Sequence, residues 1–217
     1  SAASDVYKRQ EFIICLGYRG YVIKEFFANY FLHTSDVTFD VRNNSIAVHQ
    51  RFSEPWKVTL VDTGELTATG GRLKKVANYL DDHFIFTYGD GVSDVNIQRL
   101  VDFYKAEKTL AVVTAVQPVG RYGALEIRDS KVHAFTEKSQ SGSGWISAGY
   151  FVCNREVIDW IKDENTSWEV EPVQNLATAG QLSVWKHHGY WQAMDTLRDK
   201  VTLETAWNEG NAPWRVW

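Results

Sequence analysis

The segment FIFTYGDGVSD (84–94) joins an apolar run to a turn in which one carboxylate stands between two glycines. Residues 84–86 have the character of a buried strand, and Gly-Asp-Gly follows at 89–91. Glycine has no Cβ, so it permits a sharp turn and the close approach of a ligand. In open α/β sheets, ligands bind at the carboxyl ends of the strands. Asp90 is therefore a candidate ligand for a metal or a charged substrate. The alternative is a strand-to-helix turn whose polar residues only begin the next helix.

Strand-like and helix-like segments alternate on both sides of this turn. Apolar strand-like runs lie at 11–16, 57–64, 83–88, 109–116 and 144–154. Helical spacing of apolar residues is found at 21–32, 69–80, 155–162, 168–179 and 195–207, and in a segment that begins at Asp94. This alternation predicts an α/β fold with a mixed, mainly parallel Rossmann-like sheet flanked by helices. Hairpins at 37–50 and 122–137 are expected to add strands. We expect residues 11–16 and 83–88 in one sheet, and Asp94 as a helix N-cap.

Composition and charge exclude several classes of protein. The 217 residues carry a formal charge of −4, whereas proteins that bind nucleic-acid backbones usually have a basic surplus. No apolar run approaches the roughly 20 residues of a membrane span. Cys15 and Cys153 lie in apolar strand-like runs, which favours two buried, reduced thiols. We therefore expect a cytoplasmic protein that binds neither nucleic acid nor a membrane.

A second carboxylate, Asp195 in YWQAMDTLRD (190–199), also follows an apolar stretch and precedes a helix. Two aspartates at such positions, far apart in sequence, can converge on one Mg²⁺. Protein-bound Mg²⁺ is typically held by one or two carboxylates together with substrate phosphates. Asp90 and Asp195 are therefore a candidate metal site. The alternative is that Asp195 or Thr196 only caps the last helix.

Two further segments place charged residues beside glycines or at a strand end. TATGGRLKK (67–75) has two glycines and a basic cluster at a helix N-terminus, where exposed N–H groups suit a phosphate or a base edge. A flexible entry loop with a solvated basic face is the alternative. FTEKS (135–139) ends a strand, so Glu137 and Lys138 point to opposite faces. Glu137 suits sugar hydroxyls and Lys138 suits a phosphate, unless the segment is an ordinary exposed strand end.

Other chemistry-bearing patterns are missing from the sequence. The six histidines form no cluster with metal-ligand spacing, and the adjacent His187 and His188 are interpreted as structural or surface groups. The chain has neither a Gly-x-Ser-x-Gly elbow nor a Walker phosphate loop.

The order of the segments is more specific than any one of them. GYRGYVIKEFFANYF (17–31), VTLVDTG (58–64), TGGRLKKV (69–76), FTYGDGVSD (86–94), GRYGALEI (120–127), FTEKS, SAGYFVCN (147–154), WQAMDTLRDKVTLE (191–204) and APW (212–214) together resemble the sugar-1-phosphate nucleotidyltransferases. The resemblance covers residues 11–217. It implies the Mg²⁺-dependent attack of glucose 1-phosphate on the α-phosphorus of CTP, giving CDP-glucose and pyrophosphate. A homo-oligomer is compatible with it.

The same resemblance implies roles for individual residues. It makes Asp90 and Asp195 the metal ligands and, together with Lys138, the catalytic residues. It places Gly70, Gly71, Arg72 and Gly89 beside the nucleotide, and Gly123, Glu137, Lys138, Gly149 and Trp191 in the sugar-phosphate pocket. On this reading, Asp90 lies between glycines so that a triphosphate and its metal can reach it.

The departures from the family pattern concern the N-terminal part and one proline. Family members begin with a strand, a glycine-rich basic loop and a Pro-Lys-Pro stretch, none of which is found here, and Ser139 replaces the usual proline after Glu-Lys. We therefore expect residues 1–10 to be an unrelated segment, and residues 11–217 to be an N-terminally truncated nucleotidyltransferase domain with impaired activity. Specificity for UTP or dTTP, and a non-catalytic remnant that binds sugar phosphate, are the alternatives.

Overall fold

The structure, a computed structural model, describes residues 11–49, 54–118, 124–128, 131–136 and 144–216. The chain divides into two compact units, Ser1–Leu80 with Ile161–Pro172, and Asp81–Trp160 with Val173–Trp217. Residues 1–10, which we predict to be unrelated to the family, lie outside the described residues. None of the helices in the described part is long and apolar enough to cross a membrane.

The first unit is built around a pair of parallel strands. Its elements are β1 (Glu11–Leu16), α1 (Gly20–Ala28), α2 (Tyr30–Thr34), β2 (Val37–Asp40), β3 (Ser45–Val48), β4 (Lys57–Asp62), α3 (Thr69–Lys75) and a 3₁₀ turn (Ala77–Tyr79). Strand β1 runs parallel to β4, and β2 pairs with β3 as the predicted hairpin. The backbone N–H and the hydroxyl of Thr63 both donate to Leu16 O, at 2.9 and 2.8 Å. These bonds continue the pairing one residue beyond β4.

The second unit contains a four-stranded sheet and a short two-stranded ribbon. Its elements are β5 (His83–Thr87), β6 (Gly91–Ser93), α4 (Ile97–Glu107), β7 (Ala111–Val116), the hairpin β8 (Ala124–Arg128) and β9 (Lys131–Thr136), β10 (Ile146–Asn154), a 3₁₀ helix (Arg155–Trp160), β11 (Leu182–Lys186), β12 (Trp191–Ala193) and α6 (Leu197–Asn208); α5 (Glu171–Thr178) begins in the first unit. The sheet order is β11-β7-β10-β5, and β6 pairs with β12.

The core of the second unit forms where α4 packs on this sheet. Leu100 and Tyr104 of α4 are buried against Val112 of β7 and Val152 of β10. The rings of Phe86 and Phe151 stack with centroids 4.7 Å apart. The apolar stripe predicted for α4 and the apolar runs predicted as strands therefore meet in one core.

The predicted α/β class with mixed sheets is confirmed, but three details are wrong. Five of the seven pairings among the described strands are antiparallel: those of β10 with β7 and β5, the two hairpins, and β6 with β12. Strands β1 and β5 belong to different sheets, since β1 pairs with β4 and β5 pairs with β10. Asp94 does not cap α4; the Asn96 side chain accepts from Arg99 N at 3.0 Å instead.

Both cysteines are free thiols, as the sequence predicts. Burial raises the pKa of Cys153, and it also raises that of the half-buried Cys15 despite the opposing effect of Arg72. Both side chains therefore carry their proton at neutral pH.

The buried helix position Leu100 should dominate the stability of the second unit. Leu100 is fully buried, whereas Leu197, at the first position of α6, is 76% exposed. We expect Leu100→Ala to lower the free energy of unfolding by about 2–5 kcal/mol, because it removes transfer free energy and leaves a cavity. Leu197→Ala, the matched control, should change it by less than about 0.5 kcal/mol. Urea denaturation followed by tryptophan fluorescence measures both, and equal losses would contradict the assignment of the core.

Candidate functional site

The ribbon of β6 and β12 brings the two candidate metal ligands to one end of the same ladder. Gly91 pairs with Ala193, and Met194 N donates to Asp90 O at 2.7 Å just beyond that pair. Asp195 is the next residue along the chain, and both aspartates are exposed. The ribbon therefore joins two segments that are far apart in sequence, as the metal-site hypothesis requires.

Helix capping does not account for Asp195. Thr196 is the N-cap of α6, and its hydroxyl accepts from Asp199 N at 3.2 Å. Asp199 completes the capping box, because its carboxylate accepts from Thr196 N at 3.0 Å. Thr196, and not Asp195, is therefore the N-cap of this helix. The pattern Thr-x-x-Asp at 196–199 is the sequence signal for this cap.

A bulge in β10 carries the predicted sugar-phosphate residue Gly149. The register of β10 against β7 shifts between Ser147 and Phe151, and Gly149 takes a φ of +77° there. A Cβ at Gly149 would lie 2.5 Å from Cδ2 of the Tyr88 ring. Both the left-handed backbone and the packing of Tyr88 therefore call for glycine at this position.

The bulge and the ribbon are joined by two hydrogen bonds. Trp191 Nε1 donates to Ala148 O at 2.9 Å, and the Tyr150 hydroxyl donates to Gly91 O at 3.1 Å. Burial raises the pKa of Tyr150, with a smaller opposing effect from Thr87, so its hydroxyl remains a donor. The predicted residues Trp191 and Gly149 thus lie close to each other and to the turn that carries Asp90.

Sequence reasoning missed several residues that hold this arrangement. Tyr88 directly precedes the predicted residue Gly89, and Tyr150 directly follows the predicted residue Gly149. This adjacency is the sequence signal that could have identified the two tyrosines. His187 has a structural role, in agreement with its interpretation from the sequence, but its partner was missed: its Nε2 lies 2.8 Å from Asp94 Oδ1. No local pattern indicates this pair, because its members lie in segments far apart in the sequence.

In the first unit, the predicted nucleotide residues Gly70 and Gly71 are packed against the chain itself. A Cβ on Gly71 would overlap the backbone of Glu164, and one on Gly70 would lie 2.7 Å from Thr166 O. Gly71 N also donates to Thr166 O at 3.1 Å. Close packing of α3 on residues 164–168 therefore accounts for both glycines, and their role beside a nucleotide stays a prediction.

The guanidinium of Arg72, the third of these residues, is directed to backbone and hydroxyl oxygens. Its Nη1 donates to Leu16 O at 3.1 Å and to Thr63 Oγ1 at 2.7 Å, and its Nη2 donates to Glu65 O at 3.1 Å. These contacts tie the ends of β1 and β4 to α3. Arg72 thus has a clear structural role, and nucleotide contact by it also stays a prediction.

The remaining predicted residues divide into two groups. Gly89 is exposed, and a Cβ there would have no neighbour within 4 Å. Gly123, Glu137 and Lys138 lie outside the residues whose side chains the structure describes. Within the described ranges, no three histidine, cysteine or acidic residues form a group able to hold a metal ion.

No protein-family model matches the chain, but individual proteins do. It is 54% identical over 210 residues to the glucose-1-phosphate cytidylyltransferase of Salmonella typhimurium, covering 96% of this chain and 82% of that protein. It is 37% identical over 213 residues to a protein of Bacillus subtilis named probable glucose-1-phosphate cytidylyltransferase, covering 97% and 83%. The crystal structure of HddC from Yersinia pseudotuberculosis superposes with a TM-score of 0.61 at 19% identity, over 93% of this chain and 80% of that one; this likeness concerns the fold alone.

The glycine of the β10 bulge is open to a direct test. We expect Gly149→Ala to lower the free energy of unfolding by about 1–3 kcal/mol, because alanine is strained at positive φ and its Cβ displaces Tyr88. Gly89→Ala, where the space is open, should cost less than about 0.5 kcal/mol. Thermal denaturation of both variants beside the unchanged protein measures the difference. If Gly149→Ala unfolds at the unchanged temperature, the bulge does not require glycine.

Proposed function

The chain belongs to the glucose-1-phosphate cytidylyltransferase family, and we propose that it transfers the cytidylyl group of CTP to glucose 1-phosphate. The products are CDP-glucose and pyrophosphate. The observation that carries the proposal is the 54% identity to a glucose-1-phosphate cytidylyltransferase over 96% of the chain. The free thiols of Cys15 and Cys153 support a cytoplasmic location as part of the same proposal.

The end of the ribbon suits a divalent metal, and Mg²⁺ is our proposal for it. Asp90 and Asp195 offer carboxylate oxygens, which Mg²⁺ prefers, and both residues are exposed beside the hydrogen bond from Met194 N to Asp90 O. Two protein carboxylates leave the remaining coordination positions for phosphate oxygens and water. When bound, the metal would offset negative charge on the triphosphate.

The chain's own contribution would be to position the two substrates and to offset charge. An oxygen of the glucose 1-phosphate forms a bond to the α-phosphorus of CTP as the bond to the leaving pyrophosphate breaks, so no covalent intermediate with the protein is required. Fixed geometry and preorganised charge then lower the barrier. We assign the metal to Asp90 and Asp195, the nucleotide to Gly70, Gly71, Arg72 and Gly89, and the sugar phosphate to Gly123, Glu137, Lys138, Gly149 and Trp191, with Lys138 also offsetting phosphate charge.

The two aspartates should be essential to turnover. We expect Asp90→Asn and Asp195→Asn each to lower kcat/KM by at least about 100-fold, because each removes one negative ligand that organises charge at the reacting phosphates. Asp159→Asn, an exposed aspartate of the same unit, is the matched control and should stay within about twofold. Pyrophosphate release from CTP, glucose 1-phosphate and Mg²⁺ measures the rates. If either variant retains the rate of the unchanged protein, the substituted aspartate is not part of the catalytic site.

The nucleotide preference should follow that of the curated relatives. CTP and UTP differ at position 4 of the base, where an amino donor in cytosine is replaced by a carbonyl acceptor in uracil. A site that hydrogen-bonds this amino group leaves polar groups unpaired with UTP or dTTP. We expect kcat/KM for CTP to exceed that for either by at least about tenfold. Competition assays with equal nucleotide concentrations measure the ratio, and a preference for UTP or dTTP would reassign the specificity.

A further inference from the structure

The ribbon that carries Asp90 and Asp195 has few bonds of its own. Its ladder consists of Gly91 with Ala193, Val92 with Gln192, and Ser93 with Trp191. An isolated two-stranded ribbon is marginally stable in water. A slip of one residue in the pairing would also turn the side chains of one strand to the opposite face. The relative position of the two carboxylates therefore depends on whatever holds this register.

The ladder is extended and fastened at the end opposite to Asp90. Asp94 N donates to Tyr190 O at 3.2 Å, and the Ser93 hydroxyl donates to the same carbonyl oxygen at 2.7 Å. The Tyr190 ring in turn contacts the ring of Trp214, with centroids 5.6 Å apart. Hydrogen bonds from Ser93 and Asp94 on one strand to Tyr190 on the other therefore hold this end of the ribbon.

A side-chain pair closes this end. His187 Nε2 lies 2.8 Å from Asp94 Oδ1 and 3.3 Å from Tyr190 O. A carboxylate and a carbonyl both only accept, so Nε2 must carry the hydrogen and donate to both. The side chains of His187 and Asp94 are 11% and 30% exposed, so solvent screens the pair only in part. His187 N also donates to Ala115 O at 2.8 Å, which connects the pair to β7.

Gly189, which lies between His187 and Tyr190 in the sequence, leaves room for the pair of His187 and Asp94. A Cβ on Gly189 would overlap the Asp94 carboxylate and would lie 2.7 Å from His187 Cε1. Any larger residue would push the carboxylate away from the imidazole. The two side chains and the glycine therefore form one unit, which we call the clamp (Asp94, His187 and Gly189).

We infer that the clamp is a positioning device that fixes the register of the ribbon, and through it the mutual position of Asp90 and Asp195. The part of this inference that concerns the metal rests on the proposed function; the part that concerns the ribbon does not. The clamp lies at the end of the ladder opposite to the two aspartates. It acts through the continuous ladder, from the Asp94–Tyr190 pair at one end to the hydrogen bond between Met194 N and Asp90 O at the other.

Amide hydrogen exchange of the full chain tests the inference at the far end of the ladder. We expect the protection factor of the Met194 amide to fall at least about tenfold in His187→Ala and in Gly189→Ala, because the Asp94 end of the ladder then no longer holds the register. His187→Gln retains a donor at this position and should restore protection to within about threefold. His188→Ala, the neighbouring exposed histidine, is the matched control and should change nothing. Unchanged protection of the Val112 amide in the core shows that each variant is folded.

Two results would overturn the inference. In the first, Met194 stays protected in both clamp variants while only the Asp94 amide exchanges faster, so the clamp acts locally. In the second, His187→Gln loses as much protection as His187→Ala, so the donor at Nε2 is not what holds the register.

Binding of Mn²⁺ in the presence of CTP separates this inference from the proposed function. With the free-ion electron paramagnetic resonance signal as readout, the clamp variants should bind Mn²⁺ about tenfold more weakly, and Asp90→Asn should lose binding. If Asp90→Asn binds Mn²⁺ as tightly as the unchanged protein, the assignment of the metal site is wrong. The hydrogen-exchange result still decides, independently, whether the clamp fixes the ribbon. If the clamp variants lose Met194 protection and retain full Mn²⁺ affinity, the ribbon is fixed by the clamp but the metal does not depend on it, which overturns the metal part.

Discussion

The hydrogen bond from Met194 N to Asp90 O is the interaction on which the candidate metal site depends. It closes the β6–β12 ribbon at the point where two segments from distant parts of the chain place a carboxylate each. Both aspartates are exposed, so their carboxylates are accessible to a cation at this end of the ribbon.

The surroundings of the ribbon are organised to keep it in place. The β10 bulge contributes Ala148 O as the acceptor for Trp191 Nε1, and Tyr150 as the donor to Gly91 O. One of these bonds reaches each strand of the ribbon. The clamp adds contacts at the end where Asp94 N donates to Tyr190 O. A short ribbon is thus fixed by contacts from β10 and from the loop before β12, and these supply the stability that its three residue pairs lack.

The sequence predicted the parts of the site that depend on local pattern. Gly-Asp-Gly after an apolar strand and Asp195 before a helix are local signals, and the ribbon brings the two segments together. The direction of β10 and the separation of β1 from β5 were not predictable in this way, because apolar runs do not encode which strands pair. Asp94 and Asn96 are both good N-caps two residues apart, and the partner that decides between them, His187, lies far away in the sequence.

A crystal structure with Mn²⁺ and CTP, collected at a wavelength that gives an anomalous signal from manganese, tests the central claim most directly. The predicted result is one anomalous peak within about 2.3 Å of a carboxylate oxygen from each of Asp90 and Asp195, with phosphate oxygens of CTP completing its ligands. A peak held by other residues, or one that contacts neither aspartate, would contradict the assignment of the ribbon as the metal-binding element of this enzyme.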